Sequence, residues 1–113
     1  MRRIKMSDLR HRVTIQKAVM ETNDRGVETF VFPGAEDFKV WAHIESYGAK
    51  ITHGEAEKAS EIEFRITVRF RTDITAQDRI LHKGRVFEQT LPPQNLDERR
   101  MFLQLQCREM VAL

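Results

Sequence analysis

The residues best suited to metal or nucleophilic chemistry in this chain are its four histidines and its single cysteine, and their spacing supports neither. His11, His43, His53, His82 and Cys107 form no Cys-x-x-Cys and no close His pair, the patterns that let zinc ligands reach one ion. His53-Gly54-Glu55 has the His-x-Glu form of the zinc deaminases, but the Pro-Cys-x-x-Cys that completes such a site is missing. A nucleophilic cysteine needs a neighbouring base and a lowered pKa. Cys107 falls instead on the apolar side of an alternating segment, where it reads as a small core residue. Asp24, Glu55, Glu57, Asp73, Asp78, Asp97 and Glu98 lie in no apolar setting that would tune a carboxylate for acid–base work. Gly84 belongs to a turn, and no glycine-rich phosphate loop occurs. The expectation is a protein without catalytic residues, metal or cofactor.

The arginines carry more weight. Arg65, Arg69 and Arg71 recur on one side of one segment, and Arg79 and Arg85 lie on segments nearby. A guanidinium binds carboxylate or phosphate with two parallel hydrogen bonds, so Arg65, Arg69, Arg71 and Arg85 are candidates for a contact surface, for another protein subunit before other partners. The plainer alternative is a solvated sheet face with cross-strand pairs to Glu63 or Glu88, each contributing about 0.2–1 kcal/mol. No aromatic residue alternates with these arginines, which weighs against a stacking platform for single-stranded nucleic acid.

The segment that holds them defines the fold class. Ile62, Phe64, Ile66, Val68 and Phe70 take every second place between Glu61 and Arg71, with Glu63, Arg65, Thr67, Arg69 and Arg71 between. That is the period of a strand with one dry face and one charged face. Residues 12–17, 38–45, 79–82, 85–90 and 101–108 alternate in the same way, and 27–32 does so weakly. Ser7 caps a short helical turn over 7–10. Residues 22–26 (Thr-Asn-Asp-Arg-Gly) form a turn, Lys83-Gly84 a two-residue hairpin, and 91–97 an irregular connection. Residues 46–60 show no period of two. Their second half has helix-forming composition, so a long loop, partly helical or disordered, is expected between the second and third principal strands. The pattern predicts an all-β, small antiparallel barrel of about six strands: one domain over residues 9–113 with an extension over 1–8.

The 113 residues carry 41% apolar and 32% charged side chains with a formal net charge of +2, too small for nucleic-acid binding by bulk charge. The charge is uneven. The amino-terminal residues are basic, whereas residues 21–37 hold Glu21, Asp24, Glu28, Glu36 and Asp37 against Arg25 alone. One cysteine excludes an internal disulfide framework and suits a reducing compartment. No apolar run has the ~20 residues of a membrane helix, and the basic start lacks the apolar core of a signal peptide. Met1 and Met6 are both eligible starts.

Taken in order, these segments resemble the bacteriophage head–tail joining family, the head-closure or stopper proteins of long-tailed phages. The resemblance runs from Leu9-Arg10-His11-Arg12-Val13-Thr14-Ile15-Gln16 through Val40-Trp41-Ala42-His43-Ile44, then Glu55 and Ala59. It continues in Arg65-Ile66-Thr67-Val68-Arg69-Phe70-Arg71 with Asp73-Ile74, and in Arg79-Ile80, Gly84-Arg85-x-Phe87 and Leu103-x-Leu105-x-Cys107-x-Glu109. Residues 30–37 and 91–97 depart from it. The resemblance implies a structural virion protein at the head–tail interface, assembled in the bacterial cytoplasm, with no reaction catalysed. It further implies a dodecameric ring between the portal and its adaptor on one side and the tail on the other, with double-stranded DNA passing through without sequence specificity. The long loop of such proteins gates the channel, and Tyr47, Gly48, Lys50, His53, Gly54, Glu55, Glu57 and Lys58 occupy the matching place here.

Two features of the residues agree with those expectations. Residues 46–61 carry Glu55, Glu57 and Glu61 against Lys50 and Lys58, a formal −1 that would not grip passing phosphates. A closed ring needs one flank of a subunit to complement the other, and the basic strand faces and acidic residues 21–37 supply opposite charges. The competing expectations are a small OB-like barrel that binds single-stranded nucleic acid and a tail-completion protein of the same assembly.

Overall fold

The computed structural model describes residues 4–53 and 58–110; the side chains of residues 48–61 are outside that description. Among the described residues nine strands follow one another: β1 (His11–Gln16), β2 (Val19–Thr22), β3 (Glu28–Val31), β4 (Phe38–His53), β5 (Lys58–Arg69), β6 (Arg79–His82), β7 (Arg85–Gln89), β8 (Gln94–Asn95) and β9 (Phe102–Met110). All pairings are antiparallel. The main sheet runs β5-β4-β1-β6-β7-β9, and a second pairing of β9 with β5 closes it into a six-strand barrel. Pairing of β5 with β9 joins the two ends of the six-strand sheet, so within the barrel no strand is left as a sheet edge. β8 pairs with the start of β9, and β2 and β3 form a separate two-stranded hairpin.

The period of two in β5 becomes an inside and an outside. Phe64, Ile66 and Val68 are buried, joined by Val13 and Ile15 of β1, Val40 and Ala42 of β4, Ile80 of β6, Phe87 of β7, and Leu103, Leu105 and Cys107 of β9. Phe87 is wholly buried and meets the Phe64 ring edge-on at 5.0 Å. Burying such a side chain contributes about 2–3 kcal/mol. The β6–β7 turn is the expected one: Lys83 and Gly84 have φ of 50° and 78°, the left-handed pair that a type I′ turn requires.

Four expectations need correction. The segment 46–60, expected as a loop with helical character, is mostly strand: β4 and β5 pair through Ser46↔Phe64, Tyr47↔Glu63, Ala49↔Ile62 and on to His53↔Lys58. Alternation is written into a strand by a buried face. The pairing of this stretch runs past the last β1 partner of β4 (His11↔Ala42) and the last β9 partner of β5 (Glu63↔Arg108), beyond the strands that close the barrel. The register shifts between Tyr47 and Ala49, placing Gly48 at a bulge. The first turn is a 3-10 turn over Met6–Asp8, not a helical turn capped by Ser7. Its N-cap is Lys5, whose backbone N–H donates to the Asp8 carboxylate at 2.9 Å. β2 lacked a sequence signal because all four of its residues are exposed. Finally, the connection 91–97 contains the short β8.

Candidate interaction surface

Among the described residues, no group of three or more His, Cys, Asp or Glu side chains could hold a metal ion. Cys107 is buried, and loss of solvation pushes its thiol pKa up to about 12, so almost no thiolate forms at neutral pH.

The four arginines singled out from the sequence do not form one patch. Arg65 lies over the Tyr47 ring, 3.9 Å from its centroid, in a row with Glu45 and Gln106 of the flanking strands. Arg85 donates from Nε and Nη2 to the two Glu109 oxygens at 3.0 and 2.7 Å. Arg71 grips Asp73 in the same forked way, at 2.8 and 2.7 Å. These hydrogen bonds hold the Asp73 and Glu109 carboxyls below their ordinary pKa and raise the two guanidinium values. Arg71 and Arg85 thus have partners within the chain, and Arg108 pairs with Glu88. Arg69 is exposed and has no ion-pair partner among the described residues.

Arg69 opens onto a groove that the sequence did not reveal. Arg12, Lys39, Trp41, Arg69, Met6 and Leu9 line a depression of about 510 Å³ over the outer face of β1, β4 and the end of β5. The Trp41 side chain is outward, as strand parity predicts, and 52% exposed. The Arg12 guanidinium carbon sits 5.1 Å from its ring centroid. The sequence reading had no aromatics among the basic residues, yet Arg12, Arg65, Arg71 and Arg79 each meet one: Trp41, Tyr47, Phe38 and Phe32. The aromatic partners come from other strands, or from loops, so a scan along β5 alone misses them. The registers Arg12↔Trp41 and Glu45↔Arg65 would have brought two of them into view.

Of the channel-loop residues, Tyr47 is half-buried beneath Arg65; Gly48, Lys50 and His53 lie in the distal part of β4 and Lys58 begins β5. Gly54, Glu55 and Glu57 lie outside the described residues.

Comparison with known proteins places this barrel. A chain from the virion of a native gene transfer agent particle superposes with a TM-score of 0.72, covering 92% of this chain and 97% of its own length at 21% identity, a likeness of fold. The solution structure of protein SF1141 from Shigella flexneri 2a gives a TM-score of 0.65 at 27% identity, covering 97% of this chain and all of that one. No curated protein matches the sequence. The family model of the phage head completion protein matches residues 4–110, nearly the whole barrel with its hairpin and ribbon, and the chain therefore belongs to the phage head completion protein family.

Proposed function

We propose that this protein completes the DNA-filled phage head as a ring that joins the portal and its adaptor to the tail, and that the paired ends of β4 and β5 reach into the channel the ring encloses. The observation that carries this reading is the two-stranded ribbon. β4 and β5 continue their pairing to His53↔Lys58, well past the points where β1 and β9 stop accompanying them. A ribbon with no third strand is marginal alone and takes its stability from what it meets in an assembly. The bulge at Gly48 gives it a place to bend. Its formal −1 would let double-stranded DNA pass without being held, since each neutralised phosphate adds salt-dependent affinity.

The role is structural. Membership of the phage head completion protein family supports that reading. The test is electron microscopy of particles made without this chain. Full heads that leak DNA and carry no tails are expected. Normal tailed particles would overturn the proposal, and closed, DNA-retaining heads bearing defective tails would favour a tail-completion role.

A further inference from the structure

The β2–β3 hairpin stands apart from the barrel with its side chains in solvent. Seven of its eight strand residues are exposed, including Val19, Met20 and Phe30 at 42%, 53% and 45%, and Val27 in the turn is 51% exposed. A lone hairpin in water is marginal, and this one spends its large apolar side chains on no core. It is nevertheless firmly built. The Asn23 side-chain oxygen accepts the Arg25 and Val27 N–H groups at 2.9 Å, shaping a turn that Gly26 completes at φ 77°. At its root, Lys17 N–H donates to Asp37 and Ala18 N–H to Asp78, each at 2.9 Å. Phe32 lies under the Arg79 guanidinium at 3.9 Å. An element held at its base and bare along its arms is shaped to meet something else.

Cross-strand register fixes what each face offers. Met20 stands opposite Phe30 and Thr22 opposite Glu28, so these four share one face. Glu21, Asp24 and Glu28 against Arg25 make residues 19–31 formally −2, and none of the three acids has an ion-pair partner among the described residues. The Trp41 groove is its complement: an exposed ring and an exposed Met6, bordered by Arg12, Lys39 and Arg69, none ion-paired among the described residues.

The two surfaces flank β1 on opposite sides. The groove lies toward β4, its partner on one edge, while the hairpin root is tied to Arg79 of β6, its partner on the other. A hairpin fixed on the β6 side does not fold back over the groove of its own chain. Joining different flanks of successive copies is a heterologous contact, the kind that closes a ring.

We propose that the Met20–Phe30 face of the hairpin seats in the Trp41 groove of the next copy, with Glu28 facing Arg69 and its basic neighbours. This contact rests on the ring reading above and names the surfaces that build the ring. Met20 and Phe30 cover Trp41 and Met6, and the acidic hairpin neutralises a groove otherwise left basic.

The test is covalent capture in assembled particles carrying Thr22→Cys and Met6→Cys in one chain, treated with a short bis-maleimide. Native Cys107 stays silent because it is buried. A ladder of this chain linked to itself, dimer upward, is expected only when both substitutions are present. Tailed particles that contain the double variant but give no ladder would overturn the contact and leave the head-completion reading standing. Capture of a cysteine of another virion protein by Met6→Cys would do the same, with a different occupant. Absence of the chain from particles would sink both. Charge exchange provides a second readout on exposed positions: Glu28→Arg should cut capture about tenfold, and adding Arg69→Glu should restore it. Equal capture in all these variants would contradict the contact.

Discussion

The Asp78 carboxylate receives a 2.6 Å hydrogen bond from Lys17 Nζ, reaching across 61 residues of sequence to tie the exit of β1 to the connection before β6. The same carboxylate accepts the Ala18 N–H at 2.9 Å and the Thr75 N–H at 2.8 Å, while Lys17 Nζ also donates to the Asp73 carbonyl. Gln89 of β7 closes the knot by donating to the Thr75 and Asp78 carbonyls at 2.7 and 2.9 Å. Asp78 has a fully buried side chain, so this is where the barrel, the connection and the hairpin root are fixed together.

Removing that carboxylate should be costly. Asp78→Ala leaves the partly buried Lys17 ammonium and two N–H groups without their acceptor, and about 3 kcal/mol of stability should be lost in urea unfolding. Lys17→Met should cost less, because the backbone donors keep Asp78 partnered. Equal, small losses below about 1 kcal/mol for both would show that the knot is not a structural anchor.

The forked pairs on the surface should behave in the opposite way. The Arg71 and Arg85 side chains are 40% and 42% exposed. Arg71→Ala and Arg85→Ala should each change stability by less than about 1 kcal/mol, since solvent and entropy offset most of an exposed pair. Thermal melts check this. Losses several times larger would mean that these pairs hold the barrel ends shut.

His82 should give the fold a mild acid sensitivity. Burial pushes its pKa below the ordinary 6.5, and the neighbouring charges of His11, Lys83 and Arg85 push the same way. The His11 ring meets it edge-on at 5.2 Å, and His82 Nδ1 is buried without a hydrogen-bond partner among the described residues. The folded state therefore binds fewer protons than the unfolded one. Its contribution is fully present above the unfolded value near 6.5 and is lost as pH falls through the depressed folded value. The melting temperature should fall more between neutral pH and pH about 5 in the parent than in His82→Gln. Parallel pH profiles would contradict this.

Cys107 should resist alkylation in the native protein. With its pKa near 12, about one thiol in ten thousand is ionised at pH 8, and the side chain is 1% exposed. Mass spectrometry should find it unmodified under native conditions and fully modified in denaturant. Rapid native labelling would mean that β9 opens readily.

What could be read from the sequence follows from where water is excluded. β1, β5, β6, β7 and β9 each turn one face to a common interior, so Phe64–Phe70 and Leu103–Cys107 alternate plainly, whereas Ile62, expected on the same dry face, is 53% exposed. Met20 and Phe30 have no interior to face, so β2 left no signal and β3 a weak one. The distal β4–β5 pairing was hidden too, because it runs past the strands that close the barrel. The arginines were legible as contact groups because of their type. Their division into paired Arg71 and Arg85, ring-covered Arg65 and free-standing Arg69 depended on Asp73, Tyr47 and Glu109, which only the register brings close. The groove at Trp41 needed three strands and the turn at Met6 to assemble, and no linear motif spells that out.

The most direct test of the account is a cryo-electron microscopy reconstruction of the head–tail vertex of particles containing this chain, without imposed high symmetry. The account predicts a ring of these barrels between portal-side and tail-side proteins, with the β4–β5 ribbon directed at the DNA axis. Barrels located elsewhere in the virion, or a ring whose ribbons point away from the channel, would contradict it.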